Sequence, residues 1–225
     1  MRKYIYSIFL LGLFSCQEEG VVQYTQEKDG LQFSANSSED MTKVFNFATA
    51  TYEEEINGEP KTFYYGDSLA AYTFERVVLD LQGFPTPDER EYKLKTVLVE
   101  DQDSSKVAEV VFEPYYSLAP NQLKDTIKIT VLRPKTRGTY TVGITVDTEG
   151  KGAFFDKGVV EKSILRLDIK DVYEQPEGWD ERQEWLGEFD EEKYAFMVTV
   201  SKQAFSKENN HMWNETDKYN LELRE

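Results

Sequence analysis

TIKITVLR, residues 126–133, decides the fold. Ile127, Ile129 and Val131 alternate with Lys128 and Thr130. A period of two places the apolar set on one face of a strand and the polar set on the other. The β-branched side chains suit a pleated, half-buried surface. A strand with one dry and one wet face belongs to an antiparallel sheet rather than to a parallel sheet covered on both sides.

The pattern repeats in both directions from this strand. Downstream, TYTVGITV (139–146) aligns Tyr140, Val142, Ile144 and Val146, and SILRLDI (163–169) aligns Leu165, Leu167 and Ile169 against Arg166 and Asp168. Upstream, YKLKTVLVE (92–100) sets Leu94, Thr96 and Leu98 against Lys93, Lys95 and Val97. AYTFERVVLDLQG (71–83) carries Tyr72 and Phe74, then Val77, Leu79 and Leu81 in a shifted phase, which predicts a β-bulge. KVFNFA (43–48) and GLQFSA (30–35) complete the set, with Val44 or Phe45 beside Phe47, and Leu31 beside Phe33, facing inward. Many short alternating strands without a long helical pattern predict an immunoglobulin-like antiparallel β-sandwich over residues 31–172. The stretches 50–68 and 100–124 read as long loops, where binding sites on sandwiches tend to sit.

Residues 173–225 form a separate segment. Gln175-Pro176-Glu177-Gly178 breaks the strand pattern. Asp180 to Leu186 reads as a short helix stopped by Gly187. Asp190 is placed to cap a second helix with Tyr194, Met197 and Val198 on one face, against the β-tendency of Val198-Thr199-Val200. This gives a sandwich with a short C-terminal helical extension.

Composition narrows the functions. The chain has 225 residues with a net charge of −16, so counterion release from nucleic acid has little to work with and no nucleic acid partner is expected. The one cysteine, Cys16, rules out an intramolecular disulfide and a cysteine-cluster metal site. With one histidine, His211, there is no spare partner for a nucleophilic triad. Asp101-Gln-Asp103-Ser-Ser105 begins like a calcium loop, but Lys106 and Phe112 stand where that loop needs Gly and Glu. Carboxylate pairs carry no information among 42 acidic residues. No catalytic residue and no cofactor are expected.

The amino terminus supplies an address. Arg2 and Lys3 precede an apolar run from about Tyr4 to Phe14, shorter than the roughly 20 residues of a membrane-spanning helix. Residues 1–16 fit a signal peptide, and Ser15-Cys16 resembles the lipobox of bacterial lipoproteins, although Phe14 is bulkier than usual there. In that family the cysteine is diacylated and becomes the mature N-terminus. Two or three acyl chains, at about 0.8 kcal/mol per buried CH₂, suffice for stable anchoring. Gln17, Glu18 and Glu19 resemble the acidic export signal of Bacteroidetes lipoproteins, which implies the outer face of the outer membrane. Residues 17–30 read as an acidic flexible tether.

The layout as a whole resembles the DUF4843 lipoproteins of Bacteroidetes, a family of unknown function. The matching features are the lipobox, the strand ending at Gly83, the Thr126–Arg133 strand closing on Arg133-Pro134, and the Phe154-to-Gly158 stretch. Pro176, Trp179 and the run from Leu186-Gly187 through Lys193-Tyr194 to Phe196 complete them. Where such proteins often carry Asp-Arg after the glycine, this chain reads Asp88-Glu89-Arg90. The resemblance implies a place beside outer-membrane glycan importers of the SusC/SusD kind and brings no catalytic residues with it.

The functional expectation is a non-catalytic glycan-binding or glycan-uptake protein. The alternative is an interaction module docking on an outer-membrane transporter or an adhesive assembly. Sugar binding needs exposed ring faces beside polar groups. Tyr64-Tyr65, Tyr115-Tyr116 and Trp213 are the candidates, with one tyrosine of each pair facing outward. Trp179 and Trp185 are expected to pin the tail to the sandwich, and Phe154-Phe155 to plug the core. Replacing Cys16→Ser is expected to move the protein from the membrane fraction to the soluble fraction; a variant that stays membrane-bound would remove the lipobox reading.

Overall fold

The computed structural model describes residues 28–35, 41–149 and 153–202. Its strands are β1 (Gly30–Phe33), β2 (Thr42–Asn46), β3 (Thr51–Ile56), β4 (Glu59–Tyr64), β5 (Ala71–Gln82), β6 (Arg90–Tyr92) and β7 (Leu94–Val97). They continue with β8 (Val110–Val111), β9 (Tyr116–Leu118), β10 (Lys124–Leu132), β11 (Gly138–Val146), β12 (Asp156–Lys157) and β13 (Leu165–Asp171). Two helices follow, α1 (Gln183–Leu186) and α2 (Glu191–Ser201).

The strands make a mainly-β, immunoglobulin-like sandwich. One sheet has the order β12-β1-β5-β10-β8 and the other β2-β13-β11-β7, with small two-stranded sheets β3-β4 and β6-β9. Ile127, Ile129 and Val131 of β10 face inward as the alternation predicts, joined by Val77, Leu79 and Leu81 of β5. Val142, Ile144 and Val146 of β11 and Leu165, Leu167 and Ile169 of β13 meet them from the second sheet. The bulge falls where the phase change put it. Ile127 pairs with Val77 but Ile129 with Phe74, so β5 spends three residues where β10 spends two.

Four expectations need correction. The sheets are not wholly antiparallel, because β1 runs parallel to β12 and β2 parallel to β13. These strands are far apart in sequence, so no hairpin fixes their direction. The stretch 50–68 is not an open loop but holds the β3–β4 hairpin, turned at Asn57-Gly58 with φ of 56° and 83°. Stretch 100–124 contains β8 and β9. In YKLKTVLVE only Tyr92 and Leu94 reach the core; Thr96 and Leu98 are exposed.

Strand β11 is buried on both faces from Thr141 to Val146. Residues 97–99 and 159–164 cover its outer side. A Cβ on Gly143 would lie 2.6 Å from Val99 Cγ1 and 2.9 Å from Ile164 Cγ2, so glycine is required there. The Thr145 hydroxyl, on the same side, donates to Ser163 O at 2.8 Å.

The C-terminal extension packs as its own small core of Ala48, Tyr64, Tyr173, Trp179, Leu186, Tyr194 and Val198. Asp190 caps α2, accepting from the Lys193 backbone N–H at 2.8 Å, and Glu191 and Glu192 lie at its positive end. Burial of Tyr194 and Val198 outweighs the small helix penalty of the β-branched residues. Trp179 is buried as expected, its indole N–H donating to Gly187 O at 3.1 Å. Trp185 does not pin the tail; it is 66% exposed, because the short α1 turns only Leu186 inward.

Arg133, just after β10, joins the two sheets and the segment that follows the β3–β4 hairpin. It makes a two-pronged bond to Asp171 on β13, Nε to Oδ2 at 2.9 Å and Nη2 to Oδ1 at 2.8 Å, while Nη1 donates to Gly66 O at 2.8 Å. The side chains of Arg133 and Asp171 are only 12% and 5% exposed. Removing one partner of such a pair strands a buried charge, so Asp171→Ala is expected to lower the unfolding free energy by about 3–5 kcal/mol in urea denaturation. Asp67→Ala removes the exposed carboxylate on the same guanidinium, and is expected to cost less than about 1 kcal/mol.

Candidate functional site

The two tyrosine pairs divide as adjacent strand residues must. Tyr64 and Tyr116 are buried, whereas Tyr65 and Tyr115 are exposed. Tyr64 turns toward α2, its hydroxyl 3.4 Å from that of Tyr194. Tyr116 packs on the Tyr92 ring, centroids 5.5 Å apart, and its hydroxyl accepts from the Glu113 backbone N–H. Neither buried ring is available as a platform. Trp213, Cys16, Gln17, Glu18 and Glu19 lie outside the described residues.

The structure does not bring Tyr65 and Tyr115 together. Tyr65 sits beside the entry to β5, near Arg133 and the start of β11; Tyr115 sits by the end of β11. Nine strand residues, roughly 30 Å, separate those ends.

At the Tyr115 end an open cleft of about 430 Å³ lies between Glu91, Tyr92, Lys93, Val146, Asp147 and the Ala153–Phe155 strand entry. Phe154-Phe155 splits like the tyrosine pairs: Phe155 is a core plug at 1% exposure, but Phe154 is 53% exposed and lines the cleft with Tyr115, itself 56% exposed. The expectation of a double plug is thus half corrected, and Phe154 is the functional candidate that the sequence reading missed. The doublet itself was the signal, since neighbours in an extended chain point to opposite sides.

The floor is aromatic and fixed. The Phe155 ring stands edge-on to Tyr92 at 6.1 Å, and the Arg90 guanidinium lies over the Phe155 ring, 4.8 Å from its centroid. Arg90 in turn donates to Asp29 Oδ2 at 2.6 Å, where the amino-terminal chain joins the sandwich. Asp29 packs so closely that a Cβ on Gly83 would lie 2.0 Å from its carboxylate oxygen. Lys28 donates to Ala153 O at 3.0 Å, next to Phe154. Lys28 and Asp29, at the entry to β1, therefore border the cleft.

The rim is charged. Lys95 bridges Asp147 and Glu149 at 3.0 Å each. Hydrogen bonds to Glu149 and then Asp147 raise the lysine's pKa, and the bond to Lys95 holds Asp147 below the usual carboxylate range. Asp147 is therefore ionised at neutral pH and is an acceptor. Among the described residues no group of three or more His, Cys, Asp or Glu is placed to hold a metal ion, and no helix is long and apolar enough to cross a membrane.

A second aromatic surface lies on the hairpin. Tyr52 and Phe63 pair directly across β3 and β4, ring centroids 5.7 Å apart, and Tyr65 lies 4.8 Å from Tyr52.

An immunoglobulin-like sandwich with a ring-lined cleft at one end is the class that fold and site define. The chain belongs to the family described as "Domain of unknown function (DUF4843)", whose match covers residues 67–203. That span includes the cleft's lining and leaves out β1 to β4. No curated protein matches the chain. Among solved structures, the apo-form Calx CBD1 domain is 12% identical with a TM-score of 0.37, over 64% of this chain and 98% of that one. EndoBT-3987 of Bacteroides thetaiotamicron, solved with a Man5GlcNAc product, is 10% identical (TM-score 0.37) over 63% of this chain and 30% of that one. A GH5 xyloglucanase of Bacteroides ovatus, in complex with a XXXG heptasaccharide, is 13% identical (TM-score 0.31) over 66% and 22%.

Tyr92 makes the floor sensitive to alkali. Burial, then its bond to Asp125 Oδ2 at 2.6 Å, raises its pKa far above the ordinary value of 10. Tyr194 is raised in the same way, chiefly by burial. A raised folded-state pKa contributes stability that is present in full below the unfolded value and lost as pH climbs above it. Loss of stability is expected to begin above about pH 10 and to be shallower in Tyr92→Phe, which cannot ionise. Chemical denaturation across alkaline pH, followed by tyrosine absorbance, measures both slopes.

Proposed function

We propose that the protein is a non-catalytic lipoprotein, anchored through Cys16 to the outer membrane and exposed at the cell surface, that binds glycan and assists its uptake. The observation that carries this reading is the cleft in which Tyr115 and Phe154, each more than half exposed, flank charged and hydrogen-bonding groups. Ring faces pack against the CH groups of a pyranose, and Asp147, Glu91 and Lys93 offer partners for its hydroxyls. The acidic residues after Cys16 and the DUF4843 membership support a place beside a SusC/SusD-type importer.

For the non-catalytic part of the proposal, the Lys95–Asp147 ion pair on the rim is the supporting observation. Glycoside hydrolysis needs a carboxylic acid kept protonated by a raised pKa. Asp147 is shifted the other way by Lys95.

A glycan array with residues 20–225 is expected to show binding to a defined glycan class. Tyr115→Ala and Phe154→Ala are each expected to weaken it by about 1 kcal/mol, roughly fivefold. A blank array from folded protein, or binding untouched by both substitutions, would count against the cleft. Trp213→Ala reports on the remaining candidate ring in the same assay.

A further inference from the structure

The β3–β4 hairpin has two unlike edges. In its two-residue turn Ile56 and Glu59 form the closing hydrogen-bonded pair, and alternation makes Glu54–Lys61 and Tyr52–Phe63 pairs of the same kind. The bond from Tyr65 N–H to Ala50 O, 3.0 Å, continues that series. The backbone groups of Thr51, Glu53 and Glu55 therefore point outward from β3, and those of Pro60, Thr62 and Tyr64 outward from β4.

The β4 edge is closed to a further strand. Pro60 has no N–H to give, and the Tyr64 N–H already donates to Lys202 O at 2.8 Å. The β3 edge is open: among the described residues β3 pairs with β4 alone. Thr51 to Glu55 are all exposed. An unpaired edge is a template for another strand unless something blocks it.

Charge chooses the occupant. Glu53, Glu54 and Glu55 run consecutively along the open edge, and Lys61 opposes only Glu54. A second copy pairing antiparallel at this edge would set glutamates directly against glutamates, which is repulsive. A segment carrying Lys or Arg meets the opposite field and the faces of Tyr52 and its ring neighbours.

We propose that the open edge of β3 adds an extended, cationic segment of a protein partner as a further strand, paired to the backbone of Thr51, Glu53 and Glu55. Backbone bonds supply the attachment and the glutamates the selection. This docking surface is independent of the glycan reading and lies at the other end of the sandwich from the cleft.

The test uses the full chain and two synthetic peptides of about nine residues, one alternating Lys with Val and one alternating Glu with Val. The lysine peptide is expected to bind and to slow amide exchange at Thr51, Glu53 and Glu55; the glutamate peptide is expected to do neither. Glu53→Pro removes the central N–H and is expected to weaken binding by about tenfold or more, whereas Glu53→Gln, which loses the same charge but keeps the N–H, retains most of it. Equal losses in the two variants, or binding without amide protection, would reduce the effect to general attraction by an acidic protein and overturn the proposal. Concentration-dependent self-association abolished by Glu53→Pro would assign the edge to a second copy and overturn it as well.

Discussion

The bond between Arg133 and Asp171 is the constraint on which the rest of the molecule depends. It ties Arg133, the residue just after β10 of one sheet, to Asp171, the last residue of β13 in the other. A buried ion pair is worth keeping only if its remaining donors are satisfied. Gly66 O and Asp67 take them here, and so the return from the hairpin is fixed by the same guanidinium. Arg137 lies over the Tyr173 ring at 4.7 Å and reaches Asp67 at 3.2 Å. Sandwich, hairpin base and helical tail thus meet at one polar node between two apolar cores.

That node gives the two ends of the molecule different characters. At one end polar links hold the hairpin and the tail, and the aromatic strip stands out on a thin two-stranded arm. At the other, ring packs on ring beneath a cleft, and Arg90 lies over Phe155 instead of bridging the sheets.

Much of the fold was legible because alternation is a local signal. Ile127, Ile129 and Val131 announce their face without knowledge of their partners, and the phase slip between Phe74 and Val77 announces the bulge. The parallel pairings were not legible, since β2 and β13 are joined by nothing that local pattern can see. The hairpin carried a readable turn in Asn57-Gly58, but its flanks, TYEEEI and EPKTFY, lack the alternating apolar residues that usually accompany it. Of the candidate site, the in-and-out division of Tyr64-Tyr65 and Tyr115-Tyr116 followed from strand geometry alone. Which exposed ring would find a neighbour did not, because Tyr115 and Phe154 are brought together only by the closure of the sandwich.

The way the chain enters β1 has a mechanical consequence. Tension drawn through the chain before Lys28 arrives at Asp29 and runs straight into β1. That strand is held on both sides, antiparallel to β5 over Gly30–Phe33 and parallel to β12. A pull along its length loads these bonds in shear, all at once, instead of unzipping them singly from one end. The Asp29–Arg90 link adds a charged stop ahead of the strand. The sandwich is thereby built to resist a pull applied where the chain enters β1.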